Sequence, residues 1–180
     1  MEILQTGNKV LRKKAEKIPS ENIVKKEIQG LIHKMKTVLR SSPIGIGLAA
    51  PQIGASKTVF IVSKYVLDPE ALRETKDRLE NKKKVEKAKN KEEYLVFINP
   101  KIVKISKKKA LMQEGCLSVR GKFGWVKRAT NLTIEAYDEN GNKFIRGAGG
   151  LLAHVIQHEV DHLEGTLFTD KAEKIEKEKA

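Results

Sequence analysis

Apolar residues recur near the helical period from Ile23 and Val24 through Ile28, Leu31, Ile32, Met35 and Val38 to Leu39, and Ser41, Ser42 and Pro43 then break the pattern. With Ser20 as N-cap, this predicts an amphipathic helix over residues 21–40. The following run, PIGIGLAAPQIG, places three glycines and two prolines in twelve residues, which excludes a regular helix or a central strand and predicts a shaped loop with accessible backbone.

The pattern then changes from helical to extended. Thr58–Val62 and Tyr94–Ile98 are short runs rich in β-branched and aromatic residues, as buried strands are. Leu132, Ile134 and Ala136 alternate with polar neighbours, Asp138 to Gly141 supply turn residues, and Phe144 and Ile145 resume the run, so a β-hairpin is expected. Gly149 and Gly150 lead into a second helix whose apolar face is Leu151, Leu152, Val155, Ile156, Val160 and Leu163, with Gly165 placed to end it. The tail KAEKIEKEKA mixes both charges and reads as a short surface helix or a frayed end.

Residues 64–93 differ from all of this, holding ten Lys and Arg and eight Asp and Glu with few large apolar residues. Such a segment buries little and is expected to be a charged insertion in an otherwise single domain spanning residues 1–180. The chain of 180 residues carries 36 Lys and Arg against 23 Asp and Glu, a net charge of +13, but the insertion accounts for only +2 of it and no block dominates. Positive charge by itself bears on solubility and association rather than on reaction. Cys116 is the only cysteine, which excludes an intrachain disulfide framework. With no apolar run near the roughly 20 residues that span a bilayer and no leader-like opening, a cytoplasmic protein without a membrane partner is expected.

The second helix carries His158-Glu159-Val160-Asp161-His162, an HExxH pattern that composition alone would produce about 0.01 times in such a chain. Histidines four apart stand one turn apart on one helix face and can bind a single metal ion, with the glutamate beside the first within reach of the water such an ion activates. A metzincin continuation would need a histidine where Phe168 stands, and the glutamate of a thermolysin-like site would fall beyond Ala180. His154 precedes His162 by eight residues, about 12 Å of helix, so it cannot join both other histidines on one ion. Cys116, within Glu114-Gly115-Cys116-Leu117-Ser118, is the best remaining third ligand, because thiolates bind Fe(II) and Zn(II) strongly.

Three motifs now stand in order: GIGLAAPQ at Gly45–Gln52, EGCLS at Glu114–Ser118 and QHEVDH at Gln157–His162. Together with the opening ILQTGNKVLRKKAEKI and the closing LEGTLFTDK, they make nearly the whole chain resemble the peptide deformylases. The resemblance implies an α+β fold with antiparallel strands packed around the HExxH helix of the C-terminal half and an amphipathic helix in the N-terminal half. It implies removal of the formyl group from N-formylmethionyl peptides, releasing formate. Cys116, His158 and His162 would then be the metal ligands, with Fe(II) as the native ion and Zn(II) or Ni(II) able to take its place. Glu159 would move the proton, while the Gln52 amide and the Leu117 N–H would hold the oxyanion. Ile46, Gly47 and Gly115 would line the substrate groove, and Ile46 and Leu151 the methionine pocket. Glu114 and Arg128 match the family pattern and are expected to pair and brace the cysteine loop.

Two positions depart from that pattern: Arg120 stands where proline often follows EGCLSV, and His154 where arginine or an apolar residue is common. They leave open a homologue with altered substrate preference. Some members dock on the ribosome through a basic C-terminal helix, but this short tail of mixed sign leads us to expect no more than transient ribosome contact. The chain is expected to act as a monomer. The rival reading is a nucleic-acid-binding module, motivated by the net charge and by Arg120–Arg128, where Phe123 and Trp125 alternate with basic residues as stacking platforms do.

Overall fold

A computed structural model describes residues 2–42, 45–67 and 93–177, and among these described residues there are two antiparallel sheets and two α-helices. The larger sheet runs in the order β1 (Gly47–Ala49), β2 (Val59–Ser63), β3 (Tyr94–Ile105), β6 (Asn131–Tyr137) and β7 (Lys143–Gly149). The smaller one comprises β4 (Lys109–Cys116), β5 (Val119–Ala129) and β8 (Lys174–Lys177) in that order. The helices are α1 (Lys26–Ser41) and α2 (Gly150–Leu163).

All five residues of β2 are buried because both faces of its sheet are covered. Successive side chains alternate in direction, so Phe60 and Val62 join Phe97, Ile134, Leu152, Val155 and Ile156 beneath α2. Val59 and Ile61 join Val96, Ile98 and the apolar face of α1, from Ile28 to Leu39. Phe60 and Phe97, directly paired across β2 and β3, stack with ring centroids 4.7 Å apart. This arrangement fixes α2, and with it the HExxH residues, against the large sheet. A third cluster, Val119, Val126, Leu167 and Phe168, with Cys116 packed against it, lies by the small sheet.

The fold agrees with the α+β expectation and corrects several local ones. The first helix begins at Lys26 rather than 21: Ser20–Asn22 form a separate 3-10 turn, and the Gln29 side chain donates to the carbonyl of Ile23 at 2.9 Å. The glycine-rich loop contains a three-residue edge strand, β1, followed by a 3-10 turn over Ala50–Ile53. Within the tail Lys174–Lys177 form β8 rather than a helix, pairing with the free edge of β5, and residues 178–180 lie outside the described residues. At the start of the charged segment Lys64–Leu67 form a 3-10 turn with Val66 in the core; the bulk of the segment, 68–92, lies outside the described residues. The long β4–β5 hairpin is an element that sequence periodicity did not announce.

Candidate metal centre

Cys116 reaches α2 because β4 is irregular at its end. Gly115 pairs with Phe123, but the next residue, Cys116, pairs with Val119, a register shift of the kind that re-aims a side chain. Its Sγ lies 3.2 Å from His162 Nε2, and the rings of His158 and His162 stand edge to face with centroids 4.9 Å apart. Ligand atoms of Cys116, His158 and His162 all lie within 4.8 Å of one another, as donors to one ion require.

The orientation of each ligand also fits a metal. His158 Nδ1 is engaged at 2.7 Å by Glu114 Oε2, which leaves Nε2 for a metal. Burial disfavours charge on His162 and, together with the neighbouring His158, holds its pKa well below the usual value, so it is neutral as a ligand must be. Burial works the same way on His158, but Cys116 and Glu114 outweigh it and raise that pKa. The backbone N–H of Ser118 (3.4 Å) and the Gln52 amide (3.6 Å) both donate toward Cys116 Sγ.

Glu159 follows His158 and is buried, with no hydrogen-bond partner for Oε2. Burial, aided by the negative charge of Glu114 and opposed by His158, pushes its pKa up to about 7. That is the range in which a carboxyl group both accepts and returns a proton near neutral pH. Gln52 is held in its turn by the Ala49 N–H donating to Oε1 at 2.8 Å, and its Nε2 donates to Ser118 Oγ at 3.2 Å. Gly47 on β1 faces Glu159 and Val155, and Gly115 lies against Phe123. Ile46 packs on the cluster that contains Leu151. The structure thus brings the three ligand candidates and Gln52 together at Cys116, with Glu159 next to His158 and against Gly47, and with Leu117 between Cys116 and Ser118.

Beneath the ligands lies a charged network. Glu114 is buried and accepts two hydrogen bonds from Arg128, Nε to Oε1 at 2.7 Å and Nη2 to Oε2 at 3.0 Å. Arg128 Nη1 donates to Asp161 at 2.6 Å, and Lys171 donates to the other Asp161 oxygen at 2.6 Å. Burial would raise the Glu114 pKa, but His154, His158 and Arg128 together hold it far below the carboxylate range. The expected Glu114–Arg128 pairing is therefore present.

Sequence reading missed several supports. Gln157 clamps α2 to β5 through reciprocal hydrogen bonds with the backbone of Ala129, at 3.0 and 2.9 Å. The N-terminal segment staples the two site loops: Leu4 N–H donates to the Gln52 carbonyl, Thr6 N–H to the Ser118 carbonyl, and the Gln5 amide to the Leu117 carbonyl. Gln157, Ser118 and Gln5 all stood inside quoted stretches of sequence, a signal that could have marked them.

A sequence model of the polypeptide deformylase family matches residues 1–178. The peptide deformylase of Desulforudis audaxviator (strain MP104C) is 36% identical over 178 residues, covering 99% of this chain and 97% of that protein. The chloroplastic peptide deformylase 1A of Solanum lycopersicum is 38% identical over 173 residues, covering 94% of this chain and 58% of its own, so the chain spans little more than half of that relative. Among solved structures, a peptide deformylase from Synechococcus elongatus in complex with actinonin superposes with a TM-score of 0.75 at 33% identity, covering 97% of this chain and 79% of that one.

Proposed function

The chain belongs to the polypeptide deformylase family, and from that premise we propose that it is a metal-dependent hydrolase that removes the N-formyl group from N-formylmethionine of nascent polypeptides. The observation that carries the site assignment is the convergence of one sulfur and two imidazoles within 4.8 Å beside a buried carboxyl group.

Cys116, His158 and His162 hold one divalent ion in this reading. A thiolate with two imidazoles suits Fe(II), proposed as the native ion, and also Zn(II) or Ni(II). When bound, such an ion acts as a Lewis acid and makes water acidic enough to attack an amide at neutral pH. Glu159 takes the proton of the attacking water at its carboxylate and delivers it to the departing nitrogen as the C–N bond breaks, leaving formate and a free amine. The Gln52 Nε2 and the Leu117 N–H donate to the oxygen that gains charge, a contribution of about 3 kcal/mol for each such donor in other hydrolases.

Ile46, Gly47 and Gly115 line the groove for the extended peptide, whose backbone can approach where side chains are small. Ile46 and Leu151 wall the space for the methionine side chain. Residues 1–180 act as one catalytic domain; the Lys64 N–H donating to the Glu93 carbonyl at 2.9 Å holds the two ends of the charged segment together, which supports treating it as an insertion. No helix among the described residues is long and apolar enough to cross a membrane. The enzyme is taken as a cytoplasmic monomer in transient contact with the ribosome at most. The nucleic-acid alternative gains no support, because Arg128, which ends the basic and aromatic run, is buried in the Glu114 ion pair.

The test is anaerobic purification with metal analysis, followed by formate release from formyl-Met-Ala and its acetyl counterpart. About one ion per chain and hydrolysis of the formyl peptide alone are expected. Metal-loaded protein that leaves formyl-Met-Ala intact would overturn the reading.

A further inference from the structure

His154 is buried beside the metal centre, yet neither the ligand set nor the proton path uses it. It stands one helical turn before His158 on α2. Its Nε2 lies 2.7 Å from Glu114 Oε1, while His158 Nδ1 lies 2.7 Å from Glu114 Oε2, so two imidazoles from successive turns share one carboxylate. The His154 contact is at hydrogen-bond distance but bent away from the hydrogen-bond direction, and its Nδ1 has no partner. A buried imidazole is expensive unless it finds a hydrogen bond, and the Glu114 carboxylate is the group its Nε2 faces.

A carboxylate offers about four lone-pair positions. Arg128 occupies one on each oxygen of Glu114 and is itself shared with Asp161, while His158 takes the second position on Oε2. The position left on Oε1 is the one His154 faces. We infer that His154 is a positioning residue: with hydrogen on Nε2 it donates to Glu114 Oε1, completes the set of contacts on that carboxylate and so fixes the group that aims His158 at the metal. This rests on the ligand set proposed above.

The test measures zinc affinity of the metal-loaded protein by chelator competition in native protein, His154→Leu, His154→Gln and Cys116→Ala. Second-sphere supports of this kind are worth about 10- to 100-fold in metal affinity, so His154→Leu should weaken zinc by that factor. His154→Gln, whose amide N–H can reach Glu114, should restore most of it. In a Glu114→Gln background, His154→Leu should change affinity less than about twofold, since the group it acts through is already altered. Native affinity in His154→Leu, or glutamine and leucine variants equally weak, would overturn the inference and leave His154 as packing. If Cys116→Ala binds zinc as tightly as the native chain, the ligand set itself fails and takes this inference with it, a result distinct from the first two. Should His154→Leu not fold, His154→Asn, polar but too short to reach Glu114, takes its place with the same expectation.

Discussion

Gly47 on β1 faces Glu159 on α2 so closely that a Cβ built on the glycine would overlap Glu159 Oε1 and stand 3.1 Å from Val155 Cγ1. The glycine is therefore a condition for the place of the buried carboxyl group. The edge strand brings its backbone against the helix, and only the lack of a side chain leaves room for Glu159.

Gly47→Ala should displace the Glu159 carboxylate while leaving the fold intact, because the overlapped atom is the far end of a side chain. A misplacement of about 1 Å in a reacting group can cost roughly 100-fold in rate, so kcat/KM for formyl-Met-Ala should fall by about that factor. Metal content should stay at the native level. Native turnover in Gly47→Ala would show that Glu159 tolerates the crowding and that its position is not set by the glycine.

The buried pair of Arg128 and Glu114 yields a stability prediction. Arg128→Met would leave the wholly buried Glu114 carboxylate without its guanidinium partner, while Asp161 would keep its ion pair with Lys171. Removing one partner of a buried ion pair typically costs about 3–5 kcal/mol, chiefly because the other charge is left uncompensated. Urea denaturation should show a loss of that size, and Glu114→Gln added to Arg128→Met should recover part of it. If the two single changes simply add, the network is not energetically coupled.

These residues also mark where sequence reading stops. The ligand pair and Glu159 were legible because a helix with one buried face and histidines four apart leaves a direct trace in sequence. The β4–β5 hairpin left none, because its inward positions include Glu114, Gly124 and Arg128, and the face that should read as apolar is instead an ion-pair network. Strand β8 was equally hidden: all four of its residues are exposed, and its pairing follows from the open edge of β5, nearly fifty residues away in sequence. The helix start was misplaced because the Gln29 side chain caps the Ile23 carbonyl from within the helix, a contact that no N-cap preference at Ser20 encodes.

Acid stability should depend on Asp170. The Arg12 guanidinium beside it, helped by the Leu167 N–H at 2.8 Å and opposed by partial burial, holds its carboxyl below the ordinary value of 3.8. A carboxylate depressed on folding contributes stability that is present above its unfolded pKa and lost as pH falls through the folded one. The stability difference between native protein and Asp170→Asn should therefore be constant from neutral pH down to about 5 and shrink below about 4. A difference independent of pH across that window would assign the effect to packing.

Glu159 offers the sharpest test of the proposed proton path. Its carboxyl group is buried, follows His158 of the proposed ligand set, and has one oxygen without a partner. Glu159→Gln keeps the size and a hydrogen-bonding group but removes the base that must accept the proton of the attacking water. The amide fits the same space against Gly47, so the fold and the metal content should persist, and substrate should bind as before because the groove and the methionine pocket are untouched. The loss should therefore appear in kcat, by about 10²- to 10⁴-fold, or roughly 3–5 kcal/mol of barrier, with little change in KM. Loss of metal from the variant would make Glu159 a support of the ligands, and near-native turnover would require another group to carry the proton; either outcome removes Glu159 from the role given to it here.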